Sequence, residues 1–202
     1  MSKTLLTIFI SLLIGCSDNN AKQAFPTVAR SEINRIVETV IQQDSLPFHN
    51  TSGTAIIPLS TRLRKIYVTA QYTMPDIPPP VNRQKIPAYK LLNSLVKGER
   101  FFNWSDTAYF YFQNNLADTL ILGKALTRGI ATTELVATNS TVDKRPNIRY
   151  YDLTIPILSK NQTRAYVELT NNCVDCGGAT AFYLEKISGM WTVVGWERLG
   201  MN

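Results

Sequence analysis

The sequence is poor in the residues on which much enzyme chemistry depends. It has one histidine, His49, and three cysteines in 202 residues. A Ser-His-Asp or Cys-His catalytic arrangement would have to use His49, and no G-x-S-x-G nucleophile elbow occurs in the chain. A structural zinc site needs about four ligands, which one C-x-x-C pair and one histidine do not supply. We therefore interpret His49 as a surface-loop residue and expect no metal and no cofactor.

The chain also lacks the sequence features of a nucleotide or nucleic-acid site. Its net charge is +6, but the densest basic cluster is RLRK at 62–65, and no stretch interleaves several basic residues with aromatic ones. The glycines stand alone or in turns, and none forms a phosphate-binding loop. We therefore expect no nucleic-acid partner, whereas the positive charge suits anionic lipid head groups.

Only one long apolar run is present, and it stands at the N-terminus. Lys3 precedes eleven residues, Leu5 to Gly15, that are apolar apart from Thr7 and Ser11. At about 1.5 Å per helical residue, this run is too short to cross a bilayer core about 30 Å thick. The pattern predicts a secretion signal.

The end of this run, Leu13-Ile14-Gly15-Cys16, resembles the lipobox of bacterial lipoproteins. In that family the cysteine is acylated and the chain is cut just before it. The resemblance implies a lipid bilayer as the partner of Cys16 and a place in the cell envelope, which we expect to be the outer membrane facing the periplasm. The alternative is an incidental cysteine in a buried segment, which does not explain why the run stops at Gly-Cys.

The lipobox also divides the chain. We expect residues 1–15 to be a signal peptide, residues 16–26 a lipidated tether and residues 27–202 a single domain, because this length is enough for one hydrophobic core and not comfortably enough for two.

A lipid on Cys16 leaves Cys173 and Cys176 as a pair. The compartment beyond the inner membrane is oxidising, so we expect these two residues to form a disulfide. A thioredoxin-like redox centre is the alternative, but it needs the C-x-x-C thiol at a helix N-terminus. This motif instead lies between two strand patterns and is followed by Gly177-Gly178, which favours a structural clip.

Hydrophobic periodicity predicts two helices. The segment SEINRIVETVIQQ at 31–43 places its branched apolar residues on one helical face: Ile33, Ile36, Val37, Val40 and Ile41. A second helix is predicted from Ala88 to Lys97, opened by Pro87 and closed by Gly98. Its predicted buried residues are Leu91, Leu92, Leu95 and Val96.

Strands are predicted at 64–74 and at 108–115. In the second, Tyr109 and Tyr111 would share one face while Phe110 and Phe112 share the other. Five prolines at 75–87 predict an extended surface connection that is neither helix nor central strand. Within 116–138, TLIL fits either a strand or the start of a short helix, and IATTELVAT is predicted to be a strand.

The last fifty residues predict an antiparallel meander of four strands: YYDLTIPIL, TRAYVEL, ATAFYLEKI and WTVVGWERL, the last two joined by a Ser188-Gly189 turn. The order PIxS at 156–159, AYVEL at 165–169, CxxCGG at 173–178, YLEK at 183–186 and GxW at 189–191 resembles the C-terminal part of uncharacterised small bacterial lipoproteins. The resemblance implies export and an antiparallel sheet, and it implies no activity.

Together these patterns predict an α+β domain in which one or two helices pack on a curved antiparallel sheet, similar to a cystatin-like or nuclear-transport-factor-2-like cone. Its function is then a non-enzymatic binding or accessory module whose partner is an envelope protein or a small ligand. Candidate ligand-lining residues, which also fit a core role, are Tyr109, Tyr111, Tyr183 and Trp191.

The alternative function is an envelope enzyme that uses paired carboxylates as acid and base. Four acidic residues fall in or near the C-terminal strands: Asp152, Glu168, Glu185 and Glu197. However, Glu185-Lys186 and Glu197-Arg198 sit among alternating apolar residues, as charges on a solvent-facing side of a sheet do. We therefore expect a solvated sheet face.

Overall fold

The computed structural model of this chain describes residues 27–43, 57–70, 84–117, 119–134, 149–172 and 177–199. The predicted signal peptide and tether, His49, Cys173 and Cys176 lie outside the described residues. No helix in these ranges is long and apolar enough to cross a membrane.

The described residues form three helices and thirteen short strands, which confirms the predicted α+β class. The helices are α1 (Arg30–Ile41), α2 (Ala88–Asn93) and α3 (Thr107–Gln113), and a 3-10 turn at Trp104–Asp106 precedes α3. The first eight strands are β1 (Leu59–Ser60), β2 (Arg62–Arg64), β3 (Ile66–Thr69), β4 (Gln84–Pro87), β5 (Leu95–Val96), β6 (Glu99–Arg100), β7 (Thr119–Ile121) and β8 (Thr132–Thr133). The last five are β9 (Tyr150–Leu153), β10 (Ile157–Leu158), β11 (Arg164–Asn172), β12 (Gly178–Ile187) and β13 (Met190–Arg198).

The main sheet contains seven of these strands, in the order β13-β12-β11-β9-β1-β8, with β10 also pairing with β11. The predicted meander is confirmed. β9 and β10 both pair with β11, β11 pairs with β12, and β12 pairs with β13, and all these pairs are antiparallel. The stretch YYDLTIPIL is two strands rather than one, with Pro156 in the break, where a missing N–H interrupts no ladder. Ser188 and Gly189 have φ of 50° and 84°, as a tight hairpin turn requires.

Packed side chains cover both faces of this sheet. The face covered by α1 carries a cluster that includes Leu153, Val167 and Leu184, with Ile36 and Val37 of the helix. The opposite face, covered by α2, carries a second cluster, which includes Leu91, Phe102, Tyr166, Ala181 and Tyr183. We call these the α1 face and the α2 face. All five predicted core residues of α1 are buried.

Besides the main sheet, the described residues form three two-stranded sheets, which pair β2 with β7, β3 with β4 and β5 with β6. The predicted strand at 64–74 is present as β2 and β3, and its last residues lie outside the described part. The end of the proline-rich segment forms β4, a parallel partner of β3, so the predicted extended connection was wrong for residues 84–87. TLIL contributes β7, which pairs with β2, and the predicted strand IATTELVAT is reduced in the described chain to β8.

The second predicted helix ends earlier than expected. α2 stops at Asn93, and Leu95, predicted to be buried, is 63% exposed in β5. Ser94 ends the helix with an extended backbone, and its hydroxyl donates to the carbonyl oxygen of Lys90. Lys97 and Gly98 then form the turn of the β5–β6 hairpin, with φ of 53° and 84°. Gly98 therefore closes a hairpin rather than a helix.

The aromatic segment at 108–115 was predicted to be a strand and is the helix α3. Its side chains reach both core clusters, because Tyr109 belongs to the α1 face and Phe110 to the α2 face. Four consecutive aromatic residues have no periodicity, so they fit either a two-sided strand or a helix placed between two clusters. Asp106 stabilises the start of the segment by accepting hydrogen bonds from the backbone N–H groups of Asn103 and Lys160.

Two side-chain amides at the end of α3 take the place of strand partners. The Gln113 amide accepts from the backbone N–H of Leu158 and donates to its carbonyl oxygen, both at 2.9 Å. Asn114 does the same for Val68, at 3.0 and 2.8 Å. These four hydrogen bonds join the helix to β10 and β3 and satisfy buried backbone groups that no neighbouring strand meets.

Glu32 fixes α1 to the β12–β13 hairpin. Its carboxylate pairs with the Lys186 ammonium and accepts a hydrogen bond from the Trp191 indole N–H at 2.9 Å. Burial alone would raise the pKa of Glu32, but these two partners outweigh it and lower the pKa below its ordinary value of 4.5. Ionised Glu32 therefore stabilises the fold above pH 4.5, and this contribution is lost as the pH falls through the lowered folded pKa.

We expect Glu32→Gln to lower the free energy of unfolding at neutral pH by about 1.5–3 kcal/mol, the range for hydrogen bonds to a charged group. The difference from the parent protein should narrow below pH 4.5, where the parent loses the same charge. Urea unfolding across this pH range measures it. Glu38→Gln, on the exposed side of the same helix, is the control, and we expect a change within about 0.5 kcal/mol. Equal effects of the two substitutions would contradict the role of Glu32.

Candidate functional site

Four polar residues on the α2 face bring two carboxylates and two phenols together. Glu168 of β11 pairs with Ala181 of β12, which in turn pairs with Glu197 of β13. Tyr166 of β11 pairs with Tyr183 of β12. Alternate residues of a strand share a face, so both carboxylates and both phenols lie on the α2 face. We call Tyr166, Glu168, Tyr183 and Glu197 the tyrosine–carboxylate cluster.

Each carboxylate of this cluster accepts a hydrogen bond from a phenol. The Tyr166 hydroxyl donates to Glu168 Oε1 and the Tyr183 hydroxyl donates to Glu197 Oε1, both at 2.6 Å. The Tyr183 oxygen also lies 2.9 Å from Ser94 Oγ at the end of α2, and the two tyrosine rings meet edge to face at 5.4 Å. The two pairs differ in exposure, because Glu168 is only 2% exposed whereas Glu197 faces solvent.

The phenols of the cluster are held in the neutral form. Burial raises the pKa of Tyr166 well above its usual range, and the adjacent Glu168 carboxylate adds to the rise. Burial likewise raises the pKa of Tyr183, with its hydrogen bond to Glu197 as the next cause. A phenol with a raised pKa stays protonated and can donate a hydrogen bond, and both tyrosines serve here as donors.

A third acidic residue on the same face, Asp152, forms an ion pair. Arg64 of β2 lies 2.7 Å from Asp152 and donates to Thr170 Oγ1 at 2.9 Å. Asp152 is 4% exposed, and burial raises the pKa of its carboxyl although the Arg64 guanidinium opposes the rise. Arg64 thus joins β2 to β9 and β11.

The fourth acidic residue, Glu185, pairs with Arg164 at 3.3 Å. Arg164 also donates to the carbonyl oxygen of Phe101 at 2.6 Å. A shallow depression of about 230 Å³ lies beside this pair, under the β5–β6 hairpin, and none of the tyrosine–carboxylate cluster lines it. Its rim carries charges of both signs, Lys97 and Arg100 against Glu99, so it offers no strong field for a charged ligand.

The expectation of a solvated sheet face was therefore wrong for Asp152 and Glu168. Both are buried, because the α2 face is covered by α2, by β3 and β4 and by Phe101 and Phe102. Two basic residues of the RLRK segment are also withdrawn from solvent. Arg64 is part-buried in the Asp152 pair, and Lys65 is 7% exposed, with its ammonium donating to the carbonyl oxygens of Asn114 and Leu116.

The four candidate ligand-lining residues are not brought to one place. Tyr109 and Trp191 are buried in the α1-face cluster. Tyr183 is buried in the α2-face cluster, and Tyr111 packs at its edge. The two pairs thus belong to different core clusters, and the four residues are not grouped in one place.

Gln113 and Asn114, which sequence analysis did not single out, are the polar residues with the clearest structural task. The one sequence feature that could have pointed to them is the switch from the aromatic run to the polar residues QNN at 113–115, where a strand would have continued with apolar residues.

No known protein family, no curated protein and no solved structure matches this chain. Among the described residues, no group of three or more His, Cys, Asp or Glu side chains is arranged to hold a metal ion.

The two tyrosines should differ in their effect on stability. Tyr166→Phe removes a donor from a buried carboxylate, and we expect it to lower the free energy of unfolding by about 1.5–3 kcal/mol. Tyr183→Phe should cost about 0.5–1.5 kcal/mol, because water can reach Glu197 in place of the phenol. Chemical denaturation measures both values. Tyr89→Phe, at a residue 49% exposed, is the matched control and should change stability little. Equal losses of stability in Tyr166→Phe and Tyr183→Phe would contradict the explanation that burial of the accepting carboxylate sets the cost of removing the phenol hydroxyl.

Proposed function

We propose that this chain is a lipid-anchored protein of the cell envelope that works as a non-enzymatic binding or accessory module. The anchor is supported by Leu13-Ile14-Gly15-Cys16 at the end of the apolar run. The proposal that the module is non-enzymatic is supported by the partners of the four acidic residues on the α2 face. Each of the four accepts a hydrogen bond from a neighbouring side chain or forms an ion pair with one.

A carboxylate that acts as general acid or base must come within hydrogen-bond distance of a substrate. Glu168 and Asp152 are 2% and 4% exposed and already bound to Tyr166 and Arg64. The more exposed Glu185 and Glu197 lie on different strands and are held by Arg164 and Tyr183. This arrangement supports a structural use of the acidic residues over the alternative of paired catalytic carboxylates.

The surface is better suited to binding than the interior. Trp196 and Met190 of β13 are 64% and 70% exposed, and β13 stands at one end of the main sheet. Aromatic and methionine side chains are enriched in protein interfaces. With both faces of the sheet packed, a partner that meets the outer surface fits the structure better than a ligand held within the sheet.

Cys16→Ser tests the anchor. We expect the unchanged protein to enter the detergent phase and the variant to remain as an uncleaved or aqueous form, because acyl chains contribute about 0.8 kcal/mol per buried CH₂ and an eleven-residue apolar segment holds a membrane less firmly. Detergent-phase partitioning and the mass of the mature N-terminus measure the outcome. The double variant Cys173→Ser/Cys176→Ser is the control and should partition like the parent. Equal partitioning of parent and Cys16→Ser protein would overturn the anchor.

A further inference from the structure

We propose that the corner of the domain beside the tether is a membrane-contacting surface for anionic phospholipid head groups. This inference deepens the proposed function and rests on the lipid anchor at Cys16. The surface consists of Arg30, Lys124 and Arg128 around Ile121, with Arg62 directly across from Ile121 in the β2–β7 pair. We call these five residues the basic corner.

Two contacts fix the end of β7, one to the start of α1 and one to the residue just before β2. The Arg30 guanidinium, at the first residue of α1, donates to the carbonyl oxygen of Ile121 at 2.9 Å. The next residue, Leu122, is buried, and its N–H donates to the carbonyl oxygen of Thr61 at 2.8 Å. Ile121 is therefore held between the N-terminus of α1 and β2.

The turn that follows is also fixed against the domain. Its backbone closes through a hydrogen bond from Leu126 to Gly123 at 3.0 Å and another from Ile130 to Thr127 at 3.2 Å. Leu126 and Ile130 pack on the α1-face cluster, to which α1 itself contributes. The turn thus lies against the domain on the α1 face, with Lys124 and Arg128 on its exposed side.

The exposed side chains of the corner have the chemistry of an interfacial surface. Ile121 is 54% exposed, and Arg30, Lys124 and Arg128 are all classed as exposed. An apolar side chain surrounded by long basic ones can enter the head-group region while the cations meet phosphates. Within 119–134 the only carboxylate is that of Glu134, at the end of the range, and Asp118, just before β7, lies outside the described residues.

The nearest acidic residue on α1 is also neutralised. Glu32 stands two residues after Arg30, but its carboxylate is turned to Lys186 and Trp191. The corner therefore presents a positive surface, and among phosphate-rich surfaces an anionic bilayer is the one that the anchor brings near.

The length of the tether limits the distance between Cys16 and the start of the domain. Residues 17–26 cannot span more than about 35 Å at 3.3–3.6 Å per residue, and Thr27 stands three residues before Arg30. The N-terminus of α1 is thus the part of the domain closest to Cys16 along the chain. Each Lys or Arg near an anionic membrane contributes about fivefold to the binding constant, which corresponds to about 1 kcal/mol, and the attraction fades beyond about 8 Å at physiological salt.

The test uses the full acylated protein reconstituted in vesicles of phosphatidylcholine alone or of an equal mixture of phosphatidylcholine and phosphatidylglycerol. Amide hydrogen exchange is followed in the peptides that cover 27–32 and 119–130. We expect slower exchange of both peptides on the anionic vesicles only, with the effect lost when salt is raised. Lys124→Glu/Arg128→Glu should reduce the docked-to-undocked ratio by roughly 25-fold or more, as two lost cations predict.

The matched control is Lys97→Glu/Arg100→Glu, which reverses two exposed cations on the β5–β6 hairpin and should leave the protection unchanged. Equal exchange on both kinds of vesicle would overturn the inference, and so would an equal loss of protection in the control variant, which would indicate a net-charge effect. Flotation separates this result from failure of the anchor. Acylated protein floats with both kinds of vesicle whether or not the corner docks, whereas a protein that floats with neither has no anchor.

Discussion

Strands β11 and β12 are covered on both faces, and a polar side chain on either face therefore has little bulk water to satisfy it. Burial of a polar group without a partner costs more free energy than a typical hydrogen bond contributes. The consequence is visible along β11, where Tyr166 pairs with Glu168 and Thr170 pairs with Arg64. On the α1 face the same constraint turns Glu32 towards Lys186 and Trp191. Among the described residues, this constraint accounts for the partners of the buried carboxylates Asp152 and Glu168.

The same requirement explains why a helix takes the place of a strand next to β10. The short strands β3 and β10 leave backbone groups without a neighbouring strand, and the amides of Asn114 and Gln113 meet them. α3 can do this because its aromatic residues enter both core clusters and fix the helix between them. An aromatic segment and two amides thus replace a ladder of backbone hydrogen bonds.

Much of this architecture was accessible from the sequence, because it depends on local patterns. The period of α1, the alternation of the C-terminal strands and the Ser188-Gly189 turn each predicted the correct element. The segment at 108–115 and the end of α2 could not be predicted in this way. Their conformations depend on contacts with residues distant in the chain, such as Leu158 for Gln113, Lys160 for Asp106 and Tyr183 for Ser94. The burial of Glu168 was missed for the same reason, since alternation within a strand does not show what covers its second face.

The acidic residues of the α2 face are thus part of the architecture of the domain. The carboxylates of the α2 face serve the fold, and the interaction between Tyr166 and Glu168 provides a direct test. A double-mutant cycle with Tyr166→Phe and Glu168→Leu, followed by urea unfolding, isolates the free energy of their interaction. We expect the double variant to be more stable, by at least about 1 kcal/mol, than the sum of the two single losses implies, because replacing both partners by apolar groups leaves neither unsatisfied. Additive losses would contradict it.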